Sequence, residues 1–153
     1  MGVLYSVLPL DARTRKALAQ YGVTEVPAEE GRNPTPAEVR GTLGELPGYR
    51  VQYETPSIED GSWGATVEDA ANPEEGPWTH LRSREYAGER EPIELGFEKG
   101  WPDLIVRIVV RLTEACGTLV IVPDTGEAPL VVSRGSDSEV LLRTWEHVAT
   151  GDE

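Results

Sequence analysis

Apolar and polar residues alternate in several short segments of the chain, and turn residues bound each of them. In the segment 92–98, Ile93, Leu95 and Phe97 alternate with polar or small residues, which is the pattern of a strand with one buried face. Three similar segments precede it. Because glycine, proline, asparagine or aspartate separates these segments, the pattern predicts an antiparallel meander of strands at 49–55, 62–70, 78–86 and 92–98.

Helical periodicity governs other parts of the chain. The segment 101–117 carries Pro102 in its first turn and Gly117 just beyond its end. Its apolar residues cover most of the helix circumference, so we predict a long apolar helix at about 102–116. Capping residues predict three shorter helices, which begin after Asp11, after Thr35 and in a capping box over residues 136–139. The last of these carries the apolar residues Leu141, Trp145 and Val148.

The triplet Asp124-Thr125-Gly126 lies between two short apolar segments and is also the active-site triplet of aspartic proteases. A protease dyad needs two carboxylates that share a proton, and the sequence contains only one copy of the triplet. Pro123 restricts the backbone just before it, and glycine permits the turn. We therefore interpret the triplet as the loop of a hairpin.

These elements together predict an α+β fold in a single domain over residues 1–153. The expected architecture is a mostly antiparallel sheet of about five to seven strands, with the long helix packed on it and three shorter helices. A chain of 153 residues is of ordinary single-domain size. It can bury a core without a disulfide or a metal ion.

The chain is strongly acidic, with 27 Asp and Glu against 14 Lys and Arg and a net charge of −13. Such a charge repels polyphosphates and anionic lipids, so we expect neither a nucleic acid nor a membrane as partner. Lysine and arginine are absent between Val51 and Leu81. The acids of that stretch are Glu54, Glu59, Asp60, Glu68, Asp69, Glu74 and Glu75.

Cys116 is the single cysteine of the chain, so no intramolecular disulfide can form. It closes the apolar helix, and we interpret it as a small buried residue. The sequence has no cationic, apolar leader followed by a cleavage site. These features predict a cytoplasmic protein.

No recognisable catalytic or cofactor motif occurs in the sequence, and we predict no catalytic residue, cofactor or metal site. The phosphate loop, the dinucleotide fingerprint, the zinc-protease motif and the nucleophile elbow are all missing. The paired acids are typical of exposed turns, and their spacing matches no calcium loop. His80 and His147 have no metal or triad spacing, yet His80 with a nearby carboxylate is an alternative site.

Tryptophan and tyrosine residues lie in or beside the most acidic part of the chain. Aromatic residues anchor many protein interfaces, and carboxylates around them favour a basic partner. The alternative is that these rings fill the core. The hypothetical partner-binding residues are Glu59, Asp60, Trp63, Glu68, Asp69, Glu74, Glu75 and Trp78.

In overall type, as a small, acidic, lysine-poor and cysteine-poor domain, the chain resembles the immunity proteins that neutralise bacterial toxins. The resemblance concerns composition and identifies no residues. It implies a protein-binding module that inhibits a basic toxin or nuclease. We expect the chain to act as a monomer or a homodimer. Two alternatives remain at this stage: a small hydrolase or ligand-binding enzyme that uses His80, and a self-associating structural subunit.

Overall fold

Seven strands and four helices run along residues 3–145, the part of the chain that this computed structural model describes. The strands are β1 (Leu4–Pro9), β2 (Tyr49–Tyr53), β3 (Trp63–Asp69), β4 (Trp78–Ser83), β5 (Leu95–Gly100), β6 (Leu119–Pro123) and β7 (Leu130–Val132). The helices are α1 (Ala12–Ala19), α2 (Pro36–Gly44), α3 (Pro102–Cys116) and α4 (Ser138–Thr144). The predicted α+β class is confirmed.

All seven strands belong to one open sheet in the order β2-β3-β4-β5-β1-β6-β7, and every pair is antiparallel. The predicted meander is confirmed, because β2 to β5 are neighbours in chain order. The first strand, β1, lies between β5 and β6, which sequence patterns did not indicate. One irregularity lies between β4 and β5, where Lys99 has a φ of 65° and the register shifts beside His80.

One face of the sheet carries the main hydrophobic core. The helix α3 lies against β4, β5, β6 and β7, and it also contacts α2 and α4. It begins with Pro102 and ends before Gly117, whose φ is 81°. Its buried residues are Leu104, Ile105, Val106, Ile108, Val109, Leu112, Thr113 and Cys116. The strand residues that meet this helical layer include Tyr5, Val7, Ala65, Val67, Leu81, Leu95 and Phe97.

Among residues 3–145, the opposite face of the sheet is covered near β6 and β7. There Leu10, Leu18 and Val120 form a second buried cluster, and the segment around Val23 and Val26 packs against it. Over the other strands this face carries mostly polar side chains, together with Leu4 and Leu8 of β1 and Trp78 of β4. Its cross-strand pairs are Arg50 with Glu68, His80 with Glu54, and Arg82 with Glu98. We refer to this surface as the open face.

Two of the three predicted helix starts are confirmed in detail. Asp11 accepts a hydrogen bond from the backbone N–H of Thr14, and Thr35 and Glu38 form a reciprocal capping box. These contacts satisfy N–H groups that lack a partner within the helix.

The capping box predicted over residues 136–139 is wrong. The hydroxyl of Ser136 instead contacts the backbone N–H and hydroxyl of Ser133, so Asp137 caps α4. Trp145 follows α4 and is buried. Both Val148 and His147 lie outside the described residues.

The triplet at 124–126 forms the loop of the β6–β7 hairpin, as predicted. Asp124 is exposed, and Gly126 has a φ of 88° that favours glycine. Along residues 3–145, no helix has both the length and the apolar character needed to cross a membrane.

Candidate partner-binding surface

The loop between β2 and β3 holds itself together through backbone and side-chain hydrogen bonds. Ser57 and Ser62 face each other across it, and the N–H of Gly61 donates to the carbonyl oxygen of Ser57 at 2.8 Å. The carboxylate of Asp60 accepts a hydrogen bond from the N–H of Ser62 at 2.9 Å. At its tip, the side chain of Ile58 is 73% exposed. A firmly held loop thus presents an apolar side chain to solvent.

Gly61 ties this loop to the chain that follows β4. Its φ is 73°, and a Cβ atom at this position would lie 2.5 Å from the carbonyl oxygen of Arg84. Its own carbonyl oxygen accepts a hydrogen bond from the N–H of Tyr86 at 2.9 Å. Only glycine fits so close an approach. The loop is therefore fixed at its base as well as within itself.

The structure separates the predicted acidic residues instead of gathering them into one patch. Glu59 and Asp60 precede β3, whereas Glu74 and Glu75 lie in the turn that follows it. A strand of this length spans about 20 Å. Two acidic groups therefore lie at opposite ends of β3.

The remaining two predicted acids take part in local contacts. Glu68 forms an ion pair with Arg50 across β2 and β3. A carboxylate oxygen of Asp69 accepts a hydrogen bond from the N–H of Ala71 at 2.9 Å, which holds the start of the β3–β4 turn. These two acids also lie at the end of β3 away from Ile58, so they are weaker candidates for contacts with a partner at the loop.

Trp63 is not a surface residue, and its assignment as a partner-binding residue is corrected here. Its side chain is 1% exposed and its ring stacks between those of Tyr53 and Tyr86. It points to the helix-covered face because it shares that side of β3 with Ala65 and Val67. The interpretation of this ring as core, left open by the sequence, is the correct one.

Trp78 and Trp101 are more accessible, whereas Trp145 is buried like Trp63. Trp78 is half-buried at the start of β4, and Trp101 is 42% exposed before α3. The N–H of Trp101 donates to the carbonyl oxygen of Trp78 at 3.0 Å, so the two residues are neighbours. Both lie at the end of the sheet that carries the β3–β4 turn.

Arg40 joins α2 to the aromatic cluster around Trp63. Its guanidinium lies over the rings of Tyr53 at 4.6 Å and Trp63 at 5.2 Å. It also binds the carboxylate of Glu89 at 2.8 Å, and that carboxylate accepts a hydrogen bond from the hydroxyl of Tyr86 at 2.8 Å. The cluster fixes the base of the β2–β3 loop against the helical layer. Within it, the carboxylate of Glu89 neutralises the charge of Arg40.

Hydrogen bonding in this cluster shifts the pKa values of Glu89 and Tyr86 in opposite directions. The guanidinium of Arg40 lowers the pKa of Glu89, because its hydrogen bonds favour the ionised carboxylate. The same carboxylate raises the pKa of Tyr86, because it accepts that hydroxyl's proton in a hydrogen bond. Both groups therefore keep their ordinary charges at neutral pH.

His80 lies on the open face and contacts both a hydroxyl and a carboxylate. Its Nδ1 is 3.0 Å from Oγ1 of Thr66, and its Nε2 is 3.5 Å from a carboxylate oxygen of Glu54. This arrangement matches the residue types of the alternative enzyme hypothesis. His80 lies, however, on the flat surface of the sheet.

A shallow groove of about 480 Å³ crosses the open face next to β1 and β5. Leu4, Leu8 and Gly96 form its apolar part, and the ion pair of Arg82 and Glu98 lies at its side. A second groove of about 380 Å³ adjoins α1. Neither groove includes His80, so a substrate at His80 would have no enclosed space in either.

Cys116 is buried and has the properties of a structural thiol. Burial, together with the neighbouring carboxylate of Glu38, raises its pKa to about 11. A neutral thiol is a weak nucleophile. In the described part of the chain, no three His, Cys, Asp or Glu side chains converge as a metal site would require.

Sequence patterns missed the most exposed apolar side chain next to the acids, that of Ile58. The available signal for Ile58 is its place in the segment PSIEDG, where a β-branched apolar residue interrupts an otherwise polar turn. Tyr53 is one of the tyrosines that the sequence places beside the acids, but it was not among the predicted partner-binding residues; it is 39% exposed on the edge strand β2. We refer to Tyr53, Glu54, Ile58, Glu59 and Asp60 as the β2–β3 loop surface.

No protein-family model, curated protein or solved structure matches this chain.

Proposed function

We propose that this protein is a binding module for a basic protein and that it acts as an immunity-type inhibitor of a basic bacterial toxin or nuclease. The partner docks on the β2–β3 loop surface. One observation carries the proposal: Ile58 is 73% exposed at the tip of a hydrogen-bonded loop, directly beside Glu59 and Asp60.

A loop that is ordered before binding loses little conformational entropy when a partner docks. The ring of Tyr53 and the side chain of Ile58 offer apolar area, and the acids around them form a charged rim. This combination of an apolar centre and a charged rim is common in protein interfaces.

Electrostatics favour a basic partner for this surface. The chain has a net charge of −13, and of the arginines next to the loop, Arg40 is paired with Glu89 while Arg84 lies at the loop base. Acids in the β3–β4 turn, Glu74 and Glu75, add to the field without belonging to the docking surface. Such a field speeds the encounter of oppositely charged proteins.

The test uses the basic protein that co-purifies with the chain from its native host, and it compares two variants that lose the same number of acids. In the first, Glu59, Asp60, Glu74 and Glu75 become amides. In the matched control, the exposed residues Glu25, Glu29, Glu30 and Glu114 become glutamines. We expect association at low salt to slow about ten-fold in the first variant and markedly less in the control.

A third variant, Ile58→Ser, tests the apolar contact. It should speed dissociation by about ten-fold or more, because an anchor residue acts after the encounter. Since Ile58 is exposed, its replacement should leave the melting temperature nearly unchanged. Equal association rates for the two amide variants, together with an unchanged dissociation rate for Ile58→Ser, would refute the proposal.

Co-expression distinguishes inhibition from mere binding. If the partner is a toxin or nuclease, the wild-type chain should restore growth to cells that express it, and Ile58→Ser should restore growth less well. Substrate turnover that is lost on His80→Ala would instead support the enzyme alternative.

A further inference from the structure

The strand β2 forms one edge of the sheet, and its outer side has no neighbour among residues 3–145. Its pairing with β3 is regular over five residue pairs, from Tyr49 with Asp69 to Tyr53 with Ala65, and shows no bulge. Edge strands are commonly protected by proline, by a bulge or by being very short. The other edge, β7, has only three residues, but β2 has five and contains no proline.

The direction of the backbone groups along β2 follows from two hydrogen bonds. The N–H of Glu54 donates to Gly64, and the carbonyl oxygen of Gly48 accepts from Ala70, both toward the β3 side. Alternate residues of a strand present their N–H and C=O groups to the same side. The N–H and C=O groups of Tyr49, Val51 and Tyr53 therefore point outward, away from the sheet.

The charges around this edge are predominantly negative. Glu54 and Glu59 lie at one end of β2, and Glu74 lies in the turn at the other end. The two nearby arginines are already paired, Arg50 with Glu68 and Arg40 with Glu89. A second copy of this chain would bring the same acids against each other. A basic extended segment would complement them.

We propose that β2 is the site of strand addition, at which an extended, lysine- or arginine-rich segment of the partner pairs with the outward groups of Tyr49, Val51 and Tyr53. Strand addition takes its affinity from main-chain hydrogen bonds and its selectivity from the flanking side chains. The inference rests on the proposed function, and it identifies how the basic partner binds next to the β2–β3 loop surface.

Amide hydrogen exchange measured residue by residue by NMR tests this proposal on the full chain. The probe is a short peptide of alternating lysine and threonine, capped at both ends. Bound peptide should slow exchange at Tyr49, Val51 and Tyr53 by at least about ten-fold. The amides of Arg50 and Gln52 already face β3 and serve as internal controls, because their exchange should not change.

Two control peptides separate strand pairing from charge attraction. A peptide with proline in place of threonine keeps the charge but cannot form a strand ladder, and a glutamate-threonine peptide forms strands with the wrong charge. Neither should slow exchange at the three outward amides. Equal protection by either control would overturn the proposal, and so would the absence of protection by the lysine-threonine peptide.

Substitutions at the edge provide a second test. Val51→Pro removes an outward N–H without removing a hydrogen bond to β3, and Val51→Thr is its matched control. The proline variant should bind the lysine-threonine peptide about ten-fold more weakly than the threonine variant. Equal affinities would overturn the proposal.

If Val51→Pro does not fold, Gln52→Lys and Gln52→Glu form the alternative pair. Both variants keep the backbone of β2, and only the introduced lysine repels the basic peptide. Gln52→Lys should therefore bind the lysine-threonine peptide several-fold more weakly than Gln52→Glu. Equal affinities would again overturn the proposal.

The free chain supplies the last comparison. If exchange at Val51 in the free chain slows as its concentration rises, the occupant of the edge is a second copy, and the proposal is wrong. If the lysine-threonine peptide does not add to β2 but Ile58→Ser still speeds dissociation of the partner, this inference is wrong and the proposed function stands. The proposed function depends on the loop and not on the edge strand.

Discussion

The two faces of the sheet differ in almost every physical respect, although they are built from the same strands. Leu81 and Arg82 are consecutive residues of β4, and they show the contrast directly. Leu81 has no exposed area and belongs to the core under α3, whereas Arg82 lies on the open face and pairs with Glu98 at 3.1 Å. The side-chain alternation of a strand sends one residue into the core and the next toward water.

This contrast indicates where the free energy of folding resides. Buried apolar side chains on the covered face each remove a large area from water, which is the main stabilising term. Partly exposed ion pairs contribute little, because water and salt screen them. The open face can therefore vary with little loss of stability, whereas the covered face cannot.

The largest expected effect is that of Leu81→Ala on the covered face. It should lower the free energy of unfolding by about 2–5 kcal/mol, since it leaves a cavity in a packed core. Ile108→Ala, on the helical side of the same core, should cost a similar amount. Denaturant melts measure both values, and a loss well below this range would mean that the helices contribute little to the core.

The second-largest effect on stability is expected at the ion pair between Arg32 and Glu38, and this effect should depend on pH. Hydrogen bonds from Arg32 lower the pKa of Glu38. The resulting stabilisation is therefore complete above the unfolded pKa, about 4.3, and is lost as the pH falls through the lower folded value. Glu38→Gln should remove on the order of 1 kcal/mol at neutral pH and flatten the acid dependence.

The matched control for that variant is Thr35→Ala. Glutamine at position 38 still completes the capping box, whereas alanine at position 35 removes it. Thr35→Ala should therefore destabilise by about 1 kcal/mol while leaving the acid dependence in place. Identical pH profiles for Glu38→Gln and the wild type would contradict the assigned role of Arg32.

The corresponding ion pair on the open face should contribute less. Arg82→Gln should change the free energy of unfolding by less than about 1 kcal/mol, because a single nitrogen of Arg82 contacts Glu98, whereas Arg32 binds Glu38 through two nitrogens. A double-mutant cycle with Glu98→Gln measures the pair directly. A coupling energy as large as that of Arg32 with Glu38 would remove the distinction between the faces.

The smallest expected effect is at the hairpin loop beyond the covered face. Asp124→Asn should leave stability unchanged and should abolish no proteolysis, because the residue is exposed in a turn. Burial, with a smaller contribution from the charge of Asp124, raises the pKa of Tyr5 to about 12. The substitution should therefore lower the pKa of Tyr5 without returning it to its ordinary value, as an ultraviolet titration can measure.

Local signals in the sequence predicted most of the secondary structure. Periodicity located the strands of the meander, and Asp11 and Thr35 marked two helix starts correctly. The prediction at Ser136 was wrong because that hydroxyl has a competing contact with Ser133. A capping pattern cannot reveal a contact made by the residues before it.

The candidate site was less predictable. The acidic stretch was correctly located along the chain, but its acids lie at the two ends of β3. Trp63 entered the core because the register of β3 turned its ring toward the covered face. The alternation of Trp63, Ala65 and Val67 with Gly64, Thr66 and Glu68 marks that side of β3 as the more apolar one, but only the packing of the helical layer shows that the ring is fully buried there.

By itself, the sequence determined the α+β class, the meander, the hairpin turn at Asp124 and the negative charge of the chain. These features depend on spacing over a few residues and on composition, which are local properties. Only the tertiary structure decided that β1 enters between β5 and β6, that β2 is left as an edge, and that Ile58 is exposed while Trp63 is buried. Each of these depends on pairing between residues far apart in the chain, and such pairing is selected by the packing of the whole core.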